Sequence, residues 1–191
     1  MPRKFDRKML VAFDTVLQTK PLDQVTVSEL TALAGITRPA FYYHYSSIEE
    51  CILFNIERSM KKITDSHPGS EGVFAVMTEV MATCKEYRVF SENIYRSKNR
   101  QLYYDKIRST FETYVRDQIT GDAQRQEMHI SWVDRKQIAK YLTDGFIGML
   151  DMFLGNDMYN DPNTLGRKYL QFLGRDVPDI LKEFSEKDIN E

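Results

Sequence analysis

No run of this chain approaches the ~18 apolar residues that a membrane-spanning helix needs, so a helical membrane protein is excluded. The apolar stretch near the start, from Met9 to Phe13, stops at Asp14. That is too short for a secretory signal, and a cytoplasmic protein without membrane contact is expected. Cysteine is scarce. Cys51 and Cys84 form no CxxC pair and have no histidine at ligand spacing, so neither a disulfide framework nor a metal centre is expected. Both sit in helical, apolar surroundings where a free thiol packs as a small hydrophobe, the other reading being a redox role. The three histidines, His44, His67 and His129, are scattered, and no G-x-S-x-G, HExxH, phosphate-loop or dinucleotide-loop motif occurs. An enzyme needs polar groups that converge, and none can be assembled here, so no catalytic residue and no cofactor is expected. Glycine (9) and proline (6) are few among 191 residues, and nowhere does the pattern alternate with period two. The chain reads as all-α.

Net charge is −2, which by itself does not suit a nucleic-acid partner. The distribution does better. Residues 1–47 carry six Lys/Arg against four Asp/Glu, and residues 48–191 carry 20 against 24. A mildly basic head on an acidic body presents one end to phosphate.

Helix signals crowd the first third. Met9, Phe13, Val16 and Leu17 recur at helical spacing, and Pro21 ends that segment. Thr26 and Glu29 have the spacing of a capping box, in which each satisfies a backbone N–H of the other. Val27, Leu30, Leu33 and Ala34 then give a short helix one apolar face, and Gly35 can end it in the left-handed conformation. Two residues later Thr37 caps another helix, with Pro39 tolerated in its first turn and Ile36 and Phe41 spaced as a hydrophobic staple. Ser47 and Glu50 repeat the capping-box spacing and open a long helix to about residue 65. Glu49 and Glu50 are read as first-turn acids on the helix dipole rather than as a catalytic pair. Two short capped helices joined by about three residues describe a helix-turn-helix. Its second helix can enter the major groove, where Arg38 can donate twice to guanine and the Tyr42 and Tyr43 hydroxyls suit phosphate. Pattern alone leaves a plain helical hairpin with solvated side chains equally open.

The stretch TVSELTALAGITRPAFYYHY over residues 26–45, followed by Ser47-Ile-Glu-Glu, resembles the DNA-binding region of the TetR family. The likeness covers residues 8–58. It implies an all-α dimer with a three-helix helix-turn-helix head and a C-terminal helical bundle. It also implies a transcription regulator, here read as a repressor, that grips double-stranded, palindromic operator DNA. Thr37, Arg38, Tyr42, Tyr43 and His44 then look like DNA contacts, and Thr26 like a phosphate contact. Two departures stand out. Ile48 occupies the place of a usual lysine, and Pro39, counted with the contacts, occupies that of a frequent glycine and stiffens the turn. The segment YLTDGFIGMLDMFL over 141–154 is loosely similar to a subgroup that includes activators of dihydroxyacetone kinase operons, some controlled by a protein partner.

The expected domains are the head over 1–47, a connecting helix over 48–66 and an effector-binding and dimerisation body over 67–191. Body helices are expected over 71–86, 90–97, 101–119, 134–155, 162–174 and 178–186, with a loop over 120–132. Tyr87, Phe90, Tyr103, Phe111, Tyr114 and Phe146 are candidates to line an effector pocket, or else form core. The 134–155 helix has an apolar arc about 240° wide, against the ~100° that one buried face needs. Leu150, Phe153 and Leu154, with Leu165, Tyr169 and Phe172 of the next helix, are therefore candidates for a homodimer interface. The effector is read as a small molecule or a protein. The rival reading is a helical interaction module, or co-activator, whose body binds a protein partner.

Overall fold

The computed structural model describes residues 4–173 and 176–187. Among these there are ten α-helices, two short 3-10 turns and no strand. The head comprises α1 (Lys4–Leu17), a 3-10 turn (Leu22–Gln24), α2 (Val27–Ala34) and α3 (Arg38–His44). The long α4 (Ile48–Asp65) leads through a second 3-10 turn (Ser70–Gly72) to α5 (Val73–Glu86), α6 (Arg88–Arg96), α7 (Arg100–Arg125), α8 (Trp132–Gly155), α9 (Pro162–Leu173) and α10 (Val177–Lys187).

Two apolar cores form, and α4 belongs to both. Its first half contributes Cys51 and Ile52 to a core with Met9, Phe13, Leu30 and Phe41. Its second half contributes Met60 and Ile63 to a core with Met77, Phe111, Phe146 and Phe153. The first core is completed from the body, by Ile94 of α6 and Tyr103 of α7. The change from one core to the other thus falls within the connecting helix, where Ile56 touches both.

The body is organised on the antiparallel pair α7 and α8. Phe111 and Phe146 pack with ring centroids 4.6 Å apart, and the pairs Arg100–Asp151 and Arg108–Asp144 link the two helices along their length. Helix α7 runs to Arg125, six residues past the expected end at 119. Ile119, Asp122 and Ala123 keep the buried face going, and the connecting loop shrinks to residues 126–131. Asp122 accepts from the Ser70 N–H at 2.8 Å. Burial opposes its charge, but Ser70 and Arg125 outweigh that and hold its carboxyl below the usual range. The turn after α4 is fastened in the same way: Tyr114 donates to the His67 carbonyl at 2.5 Å, and Gly69 N–H to Gln118 at 2.6 Å.

The apolar arc of α8 is met largely within its own chain. Leu150 and Phe153 are fully buried and Leu154 nearly so, which corrects their assignment to a partner-facing surface. Tyr169 of α9 lies over Gly145 so closely that a Cβ there would strike its ring, and Leu165 is half-buried against the same core. The Phe172 side chain and residues 174 and 188–191 lie outside the described residues. Outward on α8 are Trp132 and Val133 in its first turn, Lys136, Gln137 and Lys140 beyond them, and then Tyr141, Gly148, Met152 and Gly155.

Candidate nucleic-acid interface

The interface begins with caps. Thr26 accepts from the Glu29 N–H at 3.3 Å, and the Glu29 carboxylate accepts from the Thr26 N–H at 2.9 Å and its hydroxyl at 2.7 Å. Lys20 also bonds that carboxylate, and Lys20 first, then Thr26, draw the Glu29 pKa down to about 2. The N-terminus of α2 is therefore fastened to the segment before it as well as to itself. At the other end Gly35 adopts φ 60°, ψ 46°, the left-handed conformation that bends the chain toward α3. Its N–H and that of Ile36 return to the carbonyls of Ala32 and Thr31. The Lys8 ammonium reaches the Gly35 carbonyl at 3.4 Å, placing a positive charge at the turn between the two helices. The sequence pattern missed that charge, because the two residues lie 27 positions apart.

Thr37 caps α3 by accepting from the Ala40 N–H at 3.3 Å. One face of α3 turns inward: Phe41 is fully buried, with Ile36 packed against the same core, and Tyr45 packs beside them at the helix end. The opposite face is outward. Thr37, Arg38 and Pro39 are exposed, with Tyr42 49% and Tyr43 85% accessible. Tyr43 is too exposed to be explained by packing. Thr26 is exposed too, at the start of α2. His44 departs from this group. Half-buried, its ring packs against Phe5 of α1, tilted by 47° with centroids 4.2 Å apart, which ties α3 to α1. Ser47 caps α4 as expected, accepting from Glu50 N–H, but the Glu50 carboxylate returns to Ser46 rather than to Ser47.

The six aromatics considered for an effector pocket are not brought together. Phe111, Tyr114 and Phe146 pack in the body core, Phe90 and Tyr103 pack with the head core, and Tyr87 is exposed. Burial pushes the Tyr103 and Tyr114 hydroxyls up to about 12. Cys84 is half-buried, with its thiol pushed up to about 11 by burial, so it is no nucleophile at neutral pH. A separate open cleft of about 830 Å³ runs between α5 and α9, lined by Phe74, Ala75, Ala82 and Leu170 and reaching His67 at the end of α4.

A capped pair of short helices, a left-handed glycine at the turn and an outward Arg/Tyr face define a helix-turn-helix DNA-binding regulator of transcription. The chain belongs to the TetR family: residues 12–53 match the profile described as "Bacterial regulatory proteins, tetR family", and residues 72–174 that described as "Transcriptional regulator C-terminal region". Members of this family regulate transcription and are not enzymes. A curated relative is the uncharacterized HTH-type transcriptional regulator YxbF of Bacillus subtilis (strain 168), 25% identical over 168 residues. The match takes in 84% of this chain but spans only 42% of the relative's length. Among solved structures, the dihydroxyacetone kinase operon activator DhaS superposes with a TM-score of 0.69 at 18% identity, covering 94% of this chain and 97% of that one. FadR from Bacillus subtilis, in complex with stearoyl-CoA, gives 0.65 at 15% identity over 87% and 96%. NalD, the secondary repressor of the MexAB-OprM efflux pump in Pseudomonas aeruginosa, gives 0.62 at 14% identity over 91% and 98%. These superpositions establish the fold.

Proposed function

We propose that this regulator binds a palindromic operator as a homodimer, represses transcription from it in the cytoplasm, and answers to an effector held by the body. The observation that carries operator reading is the outward face of α3, where Arg38 stands at the first helical position and Tyr42 and Tyr43 follow it. Arg38 reads a guanine edge; Thr26, Thr37, Tyr42 and Tyr43 hold phosphate; Pro39 stiffens the approach. His44 acts behind the interface, through its tilted ring contact with Phe5.

A single head of net charge +2 is a weak ligand for DNA, and two heads on one palindrome bind together. The dimer reading is supported by the outward strip of α8. Tyr141 is 73% and Met152 76% accessible, and a Cβ at Gly148 would meet nothing within 4 Å. A helix from a second copy can approach there closely. Repression follows sterically, because a dimer covering a promoter keeps polymerase away. Effector control draws support from the fold neighbour that carries stearoyl-CoA. The packing of the body aromatics into core favours a second reading, a protein partner on the body surface.

Genomic footprinting with the purified protein tests the central claim: protected palindromes are expected, and their absence overturns it. A reporter on the protected promoter should rise when the gene is deleted, whereas a fall makes the protein an activator. Met152→Glu should halve the mass found by sedimentation equilibrium without unfolding the chain; a wild-type monomer at micromolar concentration removes the dimer.

A further inference from the structure

Helix α4 is the covalent link between head and body, yet a second set of polar contacts joins them far from it in sequence. The 3-10 turn Leu22–Gln24, just before the cap of α2, meets the joint between α6 and α7. Asp23 uses both carboxylate oxygens there, one accepting from the Ser97 hydroxyl at 2.6 Å and the other from the Lys98 N–H at 2.9 Å. One residue earlier, the Leu22 N–H donates to the Asn93 side-chain oxygen at 2.9 Å, and the Asn93 amide is held in turn by the Val89 carbonyl. Ser97 is buried and also accepts from the Asn99 N–H, so its hydroxyl is fixed in direction. Asn99 reaches Glu49 in the first turn of α4 at 3.2 Å, tying this joint to the other link.

We propose that Asp23 is a positioning residue for operator binding: its clasp on the α6–α7 joint sets the orientation of the head on the body, and thereby the spacing of half-sites that two heads accept. The inference rests on the two-headed reading above. Apolar contacts across the same seam, such as Phe13 on Phe90 at 5.8 Å, resist separation but tolerate sliding, because burial has no direction. Hydrogen bonds are directional, and those to a carboxylate are the stronger kind. A head held only at the start of α4 can pivot about that point. One held also at Asp23, three residues before the Thr26 cap, cannot do so without breaking the clasp. Ser97 and then Lys98 hold the Asp23 carboxyl below its usual range, so the acceptor stays charged at neutral pH. A movement of α6 inside the body therefore reaches the helix-turn-helix directly, alongside whatever α4 transmits.

The test uses the full-length protein and its footprinted operator, together with two operators in which one base pair is added or removed between the half-sites. Fluorescence anisotropy on the three should show strong discrimination by the wild type. Asp23→Ala should narrow that discrimination about tenfold or more, the size of one charge-assisted hydrogen bond, while preference for bases within a half-site stays unchanged. Ser97→Ala, which removes one donor and leaves Lys98 N–H, should narrow it less, and it carries the test if Asp23→Ala fails to fold. Simple destabilisation of the head would erode base preference together with spacing preference, and that result overturns the proposal. So does a folded Asp23→Ala protein with wild-type discrimination. A wild type that binds the operator but is indifferent to spacing overturns instead the two-headed reading on which the clasp depends.

Discussion

The head and the body are both helical and both well packed, but their sequences carry different kinds of information. In the head nearly every turn requires a particular residue: Thr26 and Glu29 close a capping box, Gly35 takes a positive φ, Thr37 caps α3 and Pro39 sits in its first turn. In the body the same length of chain offers long helices whose residues need only be apolar on the correct side. Phe111 and Phe146 could pack against many neighbours; that they pack against each other depends on how α7 and α8 align. The head is specified locally and the body globally.

That contrast can be broken most forcefully at adjacent residues of α8. Phe153 is fully buried and Met152 is 76% accessible. Phe153→Glu places an unpaired carboxylate in the body core and should cost more than about 4 kcal/mol. Thermal denaturation followed by circular dichroism should therefore show an unfolded or molten body, not a folded monomer. A stable, folded Phe153→Glu protein would mean that the α8 arc faces a partner after all. Next in size is Arg38→Ala, which should weaken operator binding by about 1–3 kcal/mol and relax preference at one base position. Tyr42→Phe should weaken all sequences evenly, as loss of a phosphate contact does. Neither change should move the melting temperature, since both residues face outward; equal loss on specific and random DNA for Arg38→Ala removes that residue from base readout.

Gly35→Ala sharpens the same comparison on the stability side. Nothing lies within 4 Å of the added Cβ, so the cost is the left-handed backbone alone, about 1–2 kcal/mol, readable as a lower urea midpoint. The smallest effect comes with acid. Glu29 is depressed to about 2 in the folded chain by Lys20 and Thr26, from an ordinary 4.5. A depressed carboxyl contributes its stability above the unfolded value and loses it as pH falls through the folded one. The α2 cap should thus hold down to pH 4.5 and loosen progressively toward pH 2, and Glu29→Gln should flatten that part of the stability–pH curve.

What was legible in the sequence follows the same division. The helix-turn-helix, its caps and the outward position of Arg38, Tyr42 and Tyr43 could be read from spacing, because backbone geometry there leaves little choice. The contact of His44 with Phe5 was missed because the two lie 39 positions apart, and Lys8 was missed for the same kind of reason. The end of α7 was set too early, at 119, whereas burial of Ile119, Asp122 and Ala123 carries the helix on to Arg125. Residues such as Leu150 and Phe153 were known to need cover, but an apolar arc does not say which chain supplies it. The clasp at Asp23 left no sequence signal, since its donors are more than 70 positions away.

The division of α4 between two cores limits how far such a regulator can be treated as interchangeable parts. A chimera joined at residue 47 would take the head away from Cys51 and Ile52, and from Ile94 and Tyr103 across the seam. Its recognition helix would then rest on a core missing one wall. Exchange of DNA specificity between relatives of this chain is better made at the surface of α3, residue by residue, than by transplanting the whole unit. A transplant that does succeed must carry the first half of α4 and bring the α6–α7 joint with it.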